Sequence, residues 1–135
     1  KKAIAKLNQL TNPALTIHTQ TLDLDAYQNL FANAIALLLY EYNDYATKFS
    51  GVALDAFYAG CPIVTIAGTW AGDRVECFNA GIVLKDPSPQ NVHQAVQAIR
   101  NNYSLYYENA QRAGEALQQA HDPVNTLAVF KKYIY

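Results

Sequence analysis

The sequence of 135 residues contains few of the side chains that build metal or disulfide sites. Its only cysteines, Cys61 and Cys77, fit neither a metal-binding nor a redox spacing. The three histidines, His18, His93 and His121, are scattered along the chain. We therefore expect two reduced core thiols, no metal site and no cofactor.

Charge of one sign and long apolar runs are also absent. Ten basic and eleven acidic residues leave a net charge of −1. Without a basic stripe, a nucleic-acid partner is not favoured. The longest apolar run, "AIALLLY" at 34–40, is only as long as a strand, and no signal-peptide pattern is present. The sequence thus predicts no membrane span and a cytoplasmic location.

Methionine is missing altogether, including a first one. The chain opens on Lys1 and Lys2, inside a stretch with helical periodicity. Our interpretation is an excised or processed fragment of a longer protein. We expect residues 1–135 to form a single partial domain of Rossmann-like type, with a terminal helix at 121–135.

Helical and strand patterns alternate along the chain. Buried or alternating apolar runs predict strands at 14–20 ("ALTIHTQ"), 35–40 ("IALLLY"), 62–66 ("PIVTI") and 82–84 ("IVL"). Periodicity and capping residues predict helices at 1–10, 22–34, 51–60, 73–81, 90–103, 104–120 and 123–135. This order is typical of an α/β domain, with an open parallel sheet of about four strands flanked by helices.

In such a sheet, ligands bind beyond the carboxyl ends of the strands. Two loops leave such ends here: "EYNDYATKFSG" after Tyr40 and "AGTWAGD" after Ile66. Both loops lead from a strand into a helix. We therefore expect them to lie on one rim of the sheet.

The first loop delivers Ser50 and Gly51 to the start of a helix. The first N–H groups of a helix lack internal partners and favour an anion, and Gly51 has no Cβ to keep a phosphate away. Lys48 would add a full positive charge. The same residues also fit an ordinary serine N-cap, and the sequence leaves both readings open.

Asp55 and Trp70 have two readings as well. Asp55 lies about one turn into the same helix, where a carboxylate can accept bonds from vicinal hydroxyls such as those of a ribose. A favourable charge near a helix N-terminus is the plainer explanation. Trp70, in the Gly-Thr-Trp loop, could stack on a sugar or base, or could simply pack.

The stretch "SGVALDAFYAGCPIVTIAGTW" at 50–70 resembles the donor-binding segment of glycosyltransferases of the GT-B fold, in their C-terminal half. "TLDLDAYQNLFANAIALLLY" upstream and "NAGIVLKDPSPQNVHQAVQAIRNN" downstream are similar to the elements that flank that segment. The resemblance implies that Ser50 and Gly51 bind a donor diphosphate, assisted by Lys48. It also implies that Asp55 binds the ribose, and that Gly68, Thr69 and Trp70 line the donor sugar or diphosphate.

Two features depart from the pattern of that family. Many retaining members carry two glutamates eight positions apart, where this chain has Thr47 and Asp55. The start "Tyr45…Lys48…Ser50-Gly51" is more similar to a subset with a Tyr…Arg/Lys…Ser-Gly loop. The family also carries an Arg and a Lys on the first strands of its C-terminal half, and these two residues have no counterpart in this sequence. The stereochemistry of transfer is therefore left open.

The resemblance implies a hexosyltransferase-type glycosyltransferase whose donor is a nucleotide-diphosphate sugar. The acceptor-binding N-terminal half would lie outside this chain, so we expect this part alone to be inactive and assign no catalytic residue in it. Two alternatives are a degenerate transferase module used for binding or assembly, and a nucleotide-sugar epimerase.

The resemblance also predicts an incomplete sheet. The strand at 15–19 would be the third of a doubly wound sheet and 35–40 the fourth, with the two strands between them missing. Either the two segments pair directly or a second chain fills the open edge, giving a homodimer. We also expect the apolar face of "NTLAVFKKYIY" to dock outside this sheet, the alternative being this domain's own core.

Overall fold

The computed structural model describes residues 2–7, 9–10 and 12–134. Three short strands are formed: β1 (Ala36–Leu38), β2 (Ile63–Ile66) and β3 (Gly81–Leu84). The helices are α1 (Lys2–Leu7), α2 (Leu24–Asn29), α3 (Tyr42–Tyr45), α4 (Gly51–Tyr58), α5 (Trp70–Phe78), α6 (Pro89–Asn101), α7 (Tyr103–Ala120) and α8 (Pro123–Ile134).

The strands form an open parallel sheet in the order β1-β2-β3. The register sets Val64 of β2 opposite Leu37 of β1 and Ile82 of β3. The α/β class and the parallel sheet predicted from the sequence are therefore confirmed. Within the described residues the sheet has three strands, so the expected fourth strand is not formed.

Helices cover both faces of the sheet. On one face, Phe57 of α4 and Val75 of α5 pack with Ile63 and with α7 in the larger core cluster. On the other face, Ile99 of α6 packs on Val64 in a smaller cluster. Every residue of β2 is buried, as expected for a central strand covered on both sides.

The predicted strand at 14–20 is wrong. Residues 15–19 have no regular structure, and all of them are exposed except the half-buried Ile17. Apolar and polar side chains alternate here as in a strand, but a strand also needs a neighbour that accepts and donates its backbone hydrogen bonds. The described residues supply no such neighbour.

The first of the two expected solutions for the incomplete sheet is therefore wrong as well, since 15–19 does not pair with β1. In the described part of the chain, β1 pairs only with β2, and Leu37 at its centre is 49% exposed. The prediction that a second chain fills this edge stays a prediction.

Several elements are shorter than expected, above all α2, which covers only Leu24–Asn29 of the predicted 22–34, and both ends of α5 lie elsewhere. The helix predicted to begin at Asp73 begins at Trp70, because Thr69 caps it. Its C-cap is Asn79, in the left-handed conformation with φ 52°, while Gly81 belongs to β3. The one-turn helix α3, inside the loop after β1, was not predicted.

The terminal helix α8 forms as predicted. The alternative that it packs on this domain's own core is wrong for its described side chains, which are all exposed. Val124, Leu127 and Phe130 each keep more than half of their surface in solvent. Docking of this helix elsewhere stays a prediction.

Within the described ranges, no helix is both long and apolar enough to cross a membrane. The same residues contain no group of three or more His, Cys, Asp or Glu side chains that could hold a metal ion. Cys61 is a buried free thiol, and burial raises its pKa to about 11. Cys77 is exposed, contrary to the expectation that both cysteines lie in the core.

Candidate functional site

The start of α4 is capped by a serine. Ser50 has extended backbone angles, and its Oγ accepts a hydrogen bond from the Ala53 N–H at 3.1 Å. The same oxygen lies 2.8 Å from the phenol oxygen of Tyr40, which follows β1. Ser50 is buried by these contacts. The ordinary N-cap that the sequence left open is therefore present.

Gly51, the first residue of α4, faces open space. A Cβ built on this residue would meet no atom within 4 Å. The residue is exposed, and the first amides of a helix lack helical acceptors. This helix start therefore leaves room for an anion next to Gly51, even though Ser50 already satisfies the Ala53 N–H.

Lys48 points to an aromatic pair beside this helix start. Its Nζ lies 5.5 Å from the ring centroid of Tyr45. The rings of Tyr45 and Tyr40 stack at 3.9 Å, with 7° between their planes. Since Tyr40 in turn bonds Ser50, contacts run without a break from the ammonium group of Lys48 to the cap of α4.

The start of α5 is closed. The Thr69 hydroxyl donates to the Ile66 carbonyl at 3.0 Å and accepts from the Gly72 N–H at 3.1 Å. Thr69 is only 2% exposed. A Cβ added to Gly72 would lie 2.6 Å from the Ile66 carbonyl oxygen, so the first turn of α5 sits directly against the end of β2.

Gly68 and Trp70 complete this second loop. Gly68 has φ +76°, and a Cβ there would lie 2.6 Å from the Tyr42 ring, so only glycine fits the turn. Trp70 is half-buried, with its ring 4.5 Å from that of Phe49. Phe49 lies in the loop before α4 and Trp70 begins α5, so this contact joins the two strand-to-helix loops. The two loops were expected to lie on one rim, and this contact agrees with that.

A cavity of about 300 Å³ lies at the carboxyl ends of all three strands. Its walls are residues 39–42 after β1 together with Ile66, Ala67, Leu84, Lys85 and Pro87. Among the described residues that line it, Lys85 is the one basic and Glu41 the one acidic side chain. Sequence reasoning missed both, although the rule that singled out the loops after Tyr40 and Ile66 also applies to the loop after Leu84.

None of the seven residues predicted for the site lines this cavity. Two of them border it through its tyrosines, since Ser50 bonds Tyr40 and Gly68 abuts Tyr42. The structure thus gathers Lys48, Ser50 and Gly51 at one helix start. It gathers Gly68, Thr69 and Trp70 at the next.

Asp55 lies apart from both groups. It is half-buried in α4, and its Oδ2 accepts a hydrogen bond from the Tyr27 phenol at 2.9 Å. Burial, and secondarily the bond to Asp55, raises the pKa of Tyr27 to about 12. The two side chains face a separate cleft between α2 and α4, which includes neither Gly51 nor Lys48.

Comparisons with known proteins do not assign this geometry. Neither a family model, nor a curated protein, nor a solved structure matches the chain. A function for it must therefore be argued from the two helix starts, the cavity between the strand ends and the resemblance of residues 50–70.

Proposed function

We propose that the chain is the donor-binding part of a glycosyltransferase of the GT-B fold. In the complete enzyme it would bind a nucleotide-diphosphate sugar, whose sugar passes to a hydroxyl group of an acceptor. The acceptor-binding half would be supplied by chain outside these residues.

The observation that supports this proposal best is the open start of α4. It lies on the rim where three parallel strands end, beside a cavity of about 300 Å³. Gly51 is exposed there, a Cβ built on it would meet no atom within 4 Å, and Lys48 is two residues before the Ser50 cap. A rim of this kind suits a phosphorylated ligand, because helix amides and a nearby cation both stabilise negative charge.

Each residue has a part in the proposed complex. The backbone at Gly51 would hold the diphosphate, and Lys48 would turn from the Tyr45 ring towards it. The positive charge of Lys48 would stabilise the negative charge that develops on the leaving diphosphate during transfer. Asp55 faces the separate cleft between α2 and α4, and the ribose hydroxyls are assigned to it on the resemblance alone.

Lys85 adds a cation that the sequence-based proposal lacked. It lines the cavity between the strand ends, where the donor sugar and its phosphates would extend from the α4 start. The tyrosines Tyr40 and Tyr42 line the same cavity and offer ring surface for a sugar. Gly68, Thr69 and Trp70 would border this region from the α5 loop.

A degenerate module that binds or assembles without transfer is the second candidate. The observation that favours it is Thr47, which is exposed. Many retaining members of the GT-B family that this chain resembles carry a carboxylate at that position. In that case no donor nucleotide would bind, even with the missing half restored. A nucleotide-sugar epimerase, the third candidate, would change the donor without any acceptor.

Calorimetry with uridine, guanosine and adenosine diphosphates would test the proposal on the protein that contains this chain. We expect one of them to bind, and the Gly51→Val variant to bind it less tightly by roughly 1.5–3 kcal/mol, the worth of a charge-assisted hydrogen bond. Gly51→Ala is the matched control for folding, since its Cβ meets no atom. Absence of binding in the wild type, or equal affinity in Gly51→Val, would contradict the proposal.

A further inference from the structure

The cleft between α2 and α4 is the larger of the two cavities described above, at about 410 Å³. Residues of α2, with Phe31 just after it, form one wall, and Asp55, Tyr58 and Ala59 form the other. Its volume lies within the range of small-molecule sites, roughly 300–1,000 Å³. The cleft can therefore hold a ligand with a ring and a short side chain.

The charge in this cleft is negative. Asp55 contributes a carboxylate, and among the described residues no Lys, Arg or His lines the walls. Tyr27, as a neutral phenol, donates one hydrogen bond to Oδ2 of that carboxylate at 2.9 Å. A carboxylate has about four lone-pair positions, so most of its capacity to accept bonds remains.

Three aromatic side chains line the same cleft as this carboxylate. Tyr27 and Phe31 meet edge to face, with 5.3 Å between their centroids and 87° between their planes. Tyr58 faces the cleft from α4 and is 39% exposed. Aromatic faces attract cations through their quadrupole, and they also give an apolar body a surface to pack on.

We propose that the α2–α4 cleft binds a small organic cation, an amine or guanidinium carried on an apolar body, with Asp55 as its counter-ion. The charged head would approach the oxygens of Asp55 that Tyr27 leaves free. The apolar body would lie between Phe31 and Tyr58. A cleft whose described walls carry one carboxylate and aromatic rings is complementary to such a ligand and not to an anion.

This site does not depend on the proposed donor site. It excludes Gly51, Lys48 and the cavity at the strand ends, and its ligand carries no phosphate. Only Asp55 has a part in both proposals. A ribose needs an oxygen that accepts hydrogen bonds, whereas a cation needs the negative charge, so Asp55→Asn separates the two roles.

Three ligands of matched shape test the proposal on the intact protein. They are phenethylamine, 2-phenylethanol and 3-phenylpropionate, which carry a positive charge, no charge and a negative charge at neutral pH. Titration followed by two-dimensional NMR would report the affinity and the amides of α2 and α4 that shift. We expect the amine to bind about tenfold more tightly than the alcohol, and the carboxylate most weakly.

The variants locate the charge. Asp55→Asn should remove the tenfold preference for the amine, whereas Asp73→Asn, an exposed carboxylate of α5 outside the cleft, should leave it unchanged. Tyr58→Leu should weaken amine binding severalfold without unfolding the protein, since the ring is partly exposed. Equal binding of amine and alcohol, no binding of the amine, or an unchanged preference in Asp55→Asn would each overturn the proposal.

Discussion

The starts of α4 and α5 lie on the same rim and look alike in the sequence. Each follows a strand-to-helix loop, and each is capped by a hydroxyl side chain, Ser50 in one case and Thr69 in the other. The glycine of the first turn is what differs. Gly51 faces open space, whereas Gly72 touches the carbonyl oxygen of Ile66.

This difference separates two uses of the same local motif. At α5 the cap hydroxyl and the glycine bring the first turn against β2, so the motif holds the fold together. At α4 the cap also contacts Tyr40, and a Cβ built on the glycine would meet no atom within 4 Å. Only the second arrangement leaves room for a ligand, which is why the proposed donor site is placed there.

The largest difference in stability between the two helix starts should come from valine in place of their glycines. Gly72→Val should lower the free energy of unfolding by about 3 kcal/mol, because the new side chain meets the backbone of Ile66 and cannot be accommodated by a rotamer change. Gly51→Val should change it by only about 0.5 kcal/mol. Urea unfolding measures both, and equal losses would break the comparison.

Loss of the threonine cap comes next. Thr69→Val keeps the shape of the side chain but removes both of its hydrogen bonds, so we expect a loss of about 1–2 kcal/mol in the free energy of unfolding. The exposed Thr47 is a matched control, and Thr47→Val should have little effect. Thermal unfolding of the two variants side by side gives the result. A Thr69→Val protein as stable as Thr47→Val would show that this cap is dispensable.

The bond between Tyr40 and Ser50 should have a smaller effect. Tyr40→Phe removes one partly buried hydrogen bond and should reduce the free energy of unfolding by about 0.5–1.5 kcal/mol. Tyr42→Phe is the control, since the Tyr42 side chain is 54% exposed. If denaturant midpoints of the two variants coincide, the α4 cap does not need its tyrosine.

The smallest expected effect is a gain in stability. Gly51→Ala should raise the free energy of unfolding by about 0.4–1 kcal/mol, because alanine restricts the unfolded chain and its Cβ finds open space in the folded one. The midpoint of urea unfolding should move upward. A downward shift would mean that this helix start is more crowded than its geometry indicates.

Much of the fold could be predicted from the sequence. "PIVTI" was found because a central parallel strand is apolar along its whole length, and the helices α4, α6, α7 and α8 follow from periodicity and capping. "ALTIHTQ" failed because its pattern indicates only that a strand is possible. Whether a strand forms depends on a pairing partner elsewhere in the chain, which a local pattern does not contain.

The candidate site was predicted less well. The Ser50 cap and the position of Gly51 at the start of α4 could be predicted from the local sequence, because capping depends on neighbouring residues. The contact of Gly72 with Ile66, the bond of Asp55 to Tyr27, and the position of Lys85 could not be. Each depends on how separate segments pack, and a single sequence gives no register between them.

The ring contact between Phe49 and Trp70 allows tryptophan fluorescence to report on this rim. Trp70 is the only tryptophan of the chain, so its fluorescence comes from one place, the first residue of α5. Its ring lies 4.5 Å from that of Phe49, two residues before Gly51. The fluorescence of the indole at the start of α5 should therefore change when a ligand binds at the start of α4. No added label is needed for this measurement.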